Sequence, residues 1–133
     1  MVKKGNSVLI LSSENPKKLI AVYRPENQNK VCLPGGRQEP NESSIEGAIR
    51  EVYEETGIVL FENELMILFE DFCISEGIEY WVTTYVTFRN ENIKFDPKEE
   101  NLNPFWIKNK DFLDKSYYED YYQEMMNHLN YND

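Results

Sequence analysis

The chain has 133 residues, a net charge of −10, 41% apolar and 14% aromatic residues, and a single histidine. That length predicts one domain over residues 1–133 with a core of its own, and the composition excludes a disordered chain. The acidic balance argues against a grip on long nucleic acid or an anionic membrane surface, since both need clustered Lys and Arg.

In chain order, Lys3 and Lys4 precede the apolar run Val8 to Leu11. Four apolar residues fall short of the roughly seven to fifteen of a signal-peptide core, so a first β-strand is predicted. Asn15-Pro16 marks a turn, Leu19 to Tyr23 a returning strand, and Arg24 to Lys30 a polar loop. Cys32 to Gly36 is a short strand ending in a Pro-Gly-Gly break. Ser43 with Glu46 three residues on is a capping-box signature, and Gly57 is the expected stop of the helix it opens. Short strands are expected at Ile58 to Phe61 and Leu65 to Phe69, with a hairpin turn at Glu76-Gly77. Tyr80 to Phe88, rich in β-branched and aromatic residues, is the clearest strand. A polar loop from Glu91 to Asn103 leads to a strand at Phe105 to Ile107 and a mostly helical segment from Asp111 to Leu129. Strands on both sides of one central helix, then a terminal helix, predict an α/β sandwich. No run approaches the ~20 apolar residues of a membrane-spanning helix.

Two chemistries are disfavoured. Cys32 and Cys73 form no CxxC pair, which argues against a disulfide framework or a thiolate zinc site and favours reduced thiols in a cytoplasmic setting. The lone histidine, His128, sits near the C-terminus, where it makes a poor base for a Ser or Cys nucleophile.

The central helix carries the signal. At about 100° per residue, Glu54 and Glu55 flank Glu51 at about −60° and +40°, while Ile45, Ala48, Ile49, Val52 and Thr56 form an adjacent apolar stripe. Like charges at these spacings repel, near the negative end of the helix dipole. Two explanations fit: a solvated acidic face, or a site where a divalent cation relieves the repulsion, with hard oxygen ligands suiting Mg²⁺, or Mn²⁺ as a substitute.

The surrounding residues extend the pattern. Gly36, Glu42 and Arg50-Glu51-Val52-Tyr53-Glu54-Glu55-Thr56-Gly57-Ile58 follow at fixed gaps, with Leu33-Pro34-Gly35 leading in. This resembles the box of the Nudix hydrolase family, MutT-like in its compact length, with every fixed position of the box filled from Gly36 to Ile58. The flanking layout of strands, acidic loop, Trp-containing strand and final helix is also similar to that family.

The resemblance implies a Nudix-type α/β/α sandwich with a mixed central sheet and a catalytic loop-helix-loop. It implies Mg²⁺-dependent hydrolysis of a phosphoanhydride in a nucleoside diphosphate linked to a further group. Glu51, Glu54 and Glu55 would bind metal, with Glu51 instead or also orienting or deprotonating water. The Gly35 carbonyl would be a further ligand, and Arg50 would hold the carboxylates in place. Relatives add a carboxylate from the loop before the late Trp strand, and spacing favours Glu100 over Glu99. Glu42 reads equally as support for the site or as a solvated loop residue.

Substrate is less determined, because the box reports chemistry and not the recognition group. Compact length favours a nucleoside triphosphate pyrophosphatase of MutT type. ADP-ribose, nucleotide-sugar and dinucleoside-polyphosphate hydrolysis are the alternatives, although Cys73 and Ser75 stand where the Pro and Tyr markers of the ADP-ribose and dinucleoside-polyphosphate groups would fall. RNA 5′-end hydrolysis, a non-catalytic binding module and an acidic interaction domain complete the set. Tyr23, Phe72, Tyr80, Trp81 and Trp106 are candidate stacking aromatics, and Arg24 and Arg37 candidate phosphate contacts. The segment Tyr117, Tyr118, Tyr121, Tyr122 reads as a packing face or a homodimer face.

Overall fold

In a computed structural model, residues 2–24, 27–99 and 102–129 are described, apart from the Gln28 side chain. Among these residues seven strands and three α-helices follow in chain order: β1 (Lys3–Ser12), β2 (Lys18–Arg24), β3 (Asn27–Cys32), β4 (Gly35–Arg37), α1 (Ser44–Thr56), β5 (Met66–Ser75), β6 (Ile78–Arg89), β7 (Phe105–Lys108), α2 (Asn109–Lys115) and α3 (Glu119–Asn127). The main sheet path runs β3-β2-β1-β6-β5, with β4 paired to β1 and β7 to β2. The β1–β6 pairing is parallel over its whole length, from Lys3↔Tyr80 to Ser12↔Arg89, and the other pairings between these strands are antiparallel. The sheet is therefore mixed, as expected.

β1 explains the sandwich. A strand covered on both faces reads as a continuous apolar run, and Val8, Leu9, Ile10 and Leu11 are all buried. Val8 and Ile10 join Ala48 and Val52 of α1 in one core. Leu9 and Leu11 face the opposite layer, with Phe112 of α2 and Tyr121, Tyr122 and Met125 of α3.

Several boundaries differ from the sequence reading. The polar Arg24–Lys30 segment is largely strand, because β3 is set by pairing with β2 (Val22↔Cys32, Tyr23↔Val31) and not by its own apolar pattern. Ile58 to Phe61 is not a strand: Ile58 and Leu60 are buried under α1, and a single 3₁₀ turn follows at Glu62–Glu64. The C-terminal segment is two helices, split where Ser116 bridges to Val31 and Tyr117 N–H donates to Val31 O. Tyr121 and Tyr122 are core residues, so they are spent on packing and offer no dimer face.

The expected hairpin is present. Glu76 and Gly77 both have positive φ, 52° and 78°, between the paired Ser75 and Ile78, as a two-residue turn matched to strand twist requires. Among the described residues, no helix is long and apolar enough to cross a membrane.

Candidate active site

Helix α1 begins where its sequence says it should. Ser43 Oγ accepts from Glu46 N–H at 3.2 Å, and Glu46 Oε1 accepts from Ser43 N–H at 2.8 Å. It ends at Gly57, whose φ of 81° is left-handed and whose N–H donates to Tyr53 O. Burying Ala48, Val52 and Thr56 turns Glu51 and Glu55 of the neighbouring acidic stripe toward the Gly35–Arg37 strand.

That strand has no room for a side chain at Gly35 and is closely covered at Gly36. A Cβ on Gly35 would stand 2.2 Å from Asn6 O and 2.6 Å from Ser7 Cα, both backbone atoms that cannot yield. A Cβ on Gly36 would stand 2.7 Å from Glu51 Cδ, so the Glu51 carboxyl group lies directly on this backbone. Gly35 N–H donates to Glu55 Oε1 at 2.8 Å, which ties the glycine turn to the helix.

A third wall comes from the loop after β6. The last carbonyls of a helix have no partner within it, and this loop supplies one. Lys98 N–H and Glu99 N–H donate to Glu54 O at 2.7 and 3.2 Å, and Asp96 N–H donates to Thr56 O at 2.9 Å. The same bonds carry Glu99 to the acidic stripe. One carboxylate oxygen from each of Glu51, Glu54 and Glu99 lies within 4.8 Å of the others. Glu100 lies outside the described residues. The sequence weighed both glutamates; what it could not supply was the backbone tie to α1 that aims Glu99.

Arg50 links the carboxylates. Its Nε and Nη2 donate to the two oxygens of Glu42, at 3.0 and 2.7 Å, while Nη1 donates to Glu51 at 2.8 Å and Glu54 at 3.0 Å. Nη2 also reaches the Arg37 carbonyl at 3.2 Å. Glu42, left open by sequence, is thus the fixed anchor of Arg50.

One arginine does not balance this many acids. Hydrogen bonds from Arg50 hold the Glu42 carboxyl below its usual range, and the same partner raises Arg50 further still. Glu51 is raised, chiefly by burial, with Arg50 opposing and Glu54 and Glu99 adding to the rise. Glu55 is pushed up to about 9, again chiefly by burial; the Gly35 N–H opposes this, and Glu51, Glu99 and Glu54 reinforce it. Carboxylates at such separations repel by a few kcal/mol per pair at an effective dielectric of about 20. The donor set is all hard oxygen, the type that suits Mg²⁺, Mn²⁺ or Ca²⁺. The residues present therefore fit a divalent cation held by Glu51, Glu54 and Glu99, with Glu55 packed behind them against Gly35.

Beside Gly35 and Gly36 lies a cavity of about 270 Å³ on the α3 side of the sheet. Leu33, Cys32, Cys73, Tyr80, Tyr118 and Arg24 line it, with Arg37 at its edge near Gly36. Arg24 is already engaged: its guanidinium lies 4.0 Å from the Tyr117 ring centre, and Nη1 donates to Tyr118 Oη at 2.7 Å. Ser75 Oγ lies 2.8 Å from the same hydroxyl. Of the five aromatics singled out from sequence, only Tyr80 lines the cavity. Tyr23 stacks on Phe105, Trp106 packs in the α1 core, and Phe72 and Trp81 meet edge to face. The sequence reading missed Tyr118, because helical spacing alone made it look like packing.

Comparison with known proteins agrees with this arrangement. A NUDIX domain profile matches residues 3–128. Nudix hydrolase 3 of Caenorhabditis elegans is 40% identical over 38 residues, a stretch that is 29% of this chain and 16% of that relative's length. A MutT protein from Methanosarcina mazei Go1 superimposes with a TM-score of 0.75 at 21% identity, over 98% of this chain and 96% of its own. A C. elegans Ap4A hydrolase superimposes with a TM-score of 0.74 at 20% identity, over 96% of this chain and 98% of its own. At these identities the two structural likenesses concern the fold.

Proposed function

Given that the chain belongs to the Nudix family of pyrophosphohydrolases, we propose that it hydrolyses a phosphoanhydride bond in a compact nucleotide, with a nucleoside triphosphate of the MutT type as first choice. The observation that carries the reading is the convergence of Glu51, Glu54 and Glu99 beside the Gly35–Gly36 backbone. Mg²⁺ bound there would neutralise the diphosphate and the charge that develops on the leaving group.

The chain's own residues divide the remaining work. Glu51, Glu54 and Glu99 provide cation ligands, with the Gly35 carbonyl as a further one and Glu100 as the alternative to Glu99. Glu51, half-buried and raised above its usual range, is suited to orient or take a proton from the attacking water. Arg50 fixes the carboxylates through its Glu42 anchor. Glu55 holds the glycine turn through the Gly35 N–H and would join the ligands where a cation offsets the cost of its charge. Glycine at 35 and 36 lets a diphosphate approach the backbone closely.

The cavity bears on the substrate. Ligand sites generally span about 300–1,000 Å³, so this one is near the small end and suits a single base or sugar. That supports a nucleoside triphosphate over a dinucleoside polyphosphate, whose second nucleoside would have to lie outside. The Ap4A hydrolase likeness keeps the second reading in the test.

A phosphate-release screen with Mg²⁺ would cover nucleoside triphosphates, oxidised ones included, ADP-ribose, nucleotide sugars, dinucleoside polyphosphates and short 5′-triphosphate RNA. One strongly preferred nucleoside triphosphate, inactive with Glu54→Gln, is the expected result. Preference for a dinucleoside polyphosphate or for RNA ends would replace the substrate assignment and leave the chemistry standing. Silence on every compound would point to a binding module.

A further inference from the structure

Behind the carboxylates lies a polar residue that the reaction as described does not use. Asn6 is 3% exposed, and neither its Nδ2 nor its Oδ1 has a hydrogen-bond partner among the described residues. Its neighbours on the same face of β1, Val8 and Ile10, are apolar and pack under α1. At Asn6 the strand changes from hydrocarbon to carboxamide, directly below Gly47. A Cβ at Gly47 would stand 2.7 Å from Asn6 Nδ2 and 2.7 Å from Glu42 Oε1. Asn6 and Glu42 therefore close together on a bare stretch of helix backbone. Glycine inside a helix is destabilising relative to alanine, and here these two side chains occupy the space a Cβ would need.

A second orphan stands on the same side. Gln38 continues the β4 register past Gly36, which pairs with Asn6, and its backbone N–H donates to Lys4 O. Gln38 Nε2 donates to Glu42 O at 2.9 Å, while its Oε1 is buried and unpartnered. Two carboxamides with spare hydrogen-bonding capacity thus sit around the one carboxylate that grips Arg50 by both oxygens.

We propose that Asn6 is a positioning residue for hydrolysis: its buried carboxamide seats Glu42, and through Glu42 it fixes Arg50 and the carboxylates that Arg50 holds. With Glu51 and Glu54 committed to a cation, the two-oxygen grip of Glu42 would keep the Arg50 guanidinium in place beside them. The Asn6 amide, an unpartnered donor beside Glu42 Oε1, would hold that carboxylate should it shift. A leucine at position 6 would fill the space and remove the orphaned atoms but could not respond. The inference rests on the reading that the acidic stripe binds a divalent cation.

The test is Mn²⁺ affinity of the substrate-free protein by electron paramagnetic resonance, together with kcat and KM, for Asn6→Leu, Glu42→Gln and the double variant. Asn6→Leu is expected to fold with an unchanged or higher melting temperature. Its Mn²⁺ affinity should fall about tenfold and kcat several-fold, with KM for the nucleotide moving less than twofold, and the substitution should add nothing in the Glu42→Gln background. Wild-type Mn²⁺ affinity and kcat in Asn6→Leu would overturn the proposal, as would an independent, multiplicative effect in the double variant. If the leucine variant does not fold, Asn6→Ser runs the same cycle with the same expected non-additivity. Glu54→Gln separates the two levels of failure. Mn²⁺ binding lost in Glu54→Gln but intact in Asn6→Leu rejects the role of Asn6 alone, whereas binding intact in both rejects the cation site and this inference with it.

Discussion

Two arginine–glutamate assemblies in this molecule use the same chemistry to opposite ends. Near the sheet edge, Arg89 forks onto both oxygens of Glu64, with Nη2 at 2.9 Å from Oε2, and Thr87 donates to the same carboxylate at 2.8 Å. One cation meets one anion, and the Glu64 carboxyl is lowered to about 2, chiefly by the Arg89 hydrogen bonds. Around Arg50, one cation meets Glu42, Glu51 and Glu54, with Glu55 and Glu99 adjoining. There the carboxyls of Glu51 and Glu55 go up instead of down, chiefly through burial, with the neighbouring glutamates adding to the rise. The first assembly is electrostatically complete and holds the chain together. The second carries more carboxylates than its one arginine balances, which is the arrangement the proposed cation site needs.

The largest effects should come from the overloaded assembly. Glu51→Gln and Glu54→Gln are expected to lower hydrolysis by about 10²- to 10⁴-fold, and chelation of Mg²⁺ should abolish it. The paired variants Glu99→Gln and Glu100→Gln sharpen the assignment: Glu99 should show the larger loss, read as kcat against Mg²⁺ concentration, and the reverse result would return the role to Glu100.

Arg50→Lys should cost about 10- to 100-fold in metal affinity or activity, as loss of an outer partner does. An ammonium cannot fork onto Glu42 and still reach Glu51 and Glu54. Activity equal to wild type would reduce Arg50 to an ordinary helix ion pair.

Breaking the balanced assembly should act on stability alone. Glu64→Gln is expected to cost about 1.5–3 kcal/mol at neutral pH, the usual range for hydrogen bonds to a charged group, with kcat of the folded protein unchanged. The sign follows from a folded value of about 2 below the ordinary 4.5. The stabilisation is present above 4.5 and is lost as pH falls toward 2, so wild type and variant should converge in acid unfolding.

Glu55 gives the smallest and opposite shift. Its folded value, about 9, lies above the ordinary 4.5, so the metal-free protein loses stability as pH rises through that interval. Glu55→Gln should therefore raise the metal-free melting temperature by a few degrees at pH 8, with little difference below pH 4.5. A variant that melts lower at pH 8 would show that the carboxylate is better compensated than its burial implies.

Much of this site was legible locally. The capping box at Ser43 and Glu46, the stop at Gly57 and the acidic stripe of α1 are short-range properties, set by a 3.6-residue period and by backbone groups that need partners within a few residues. The turn at Glu76-Gly77 is of the same kind. The Tyr118 contact with Arg24 was not legible, since 94 residues separate the partners and no periodicity connects them.

The sequence by itself determined the fold class, the helix that carries the carboxylates and the glycines at 35 and 36, because each follows from local pattern or a motif of fixed spacing. Tertiary structure alone decided that β3 is a strand, that Tyr121 and Tyr122 are core, that Glu99 faces Glu51 and Glu54, and that Asn6 lies beneath Glu42. Those outcomes depend on which distant backbone groups and side chains meet when β1 pairs with β6 and the 91–99 loop docks on the end of α1. Such meetings are set by the packing of the whole sheet and leave no periodic trace in the chain.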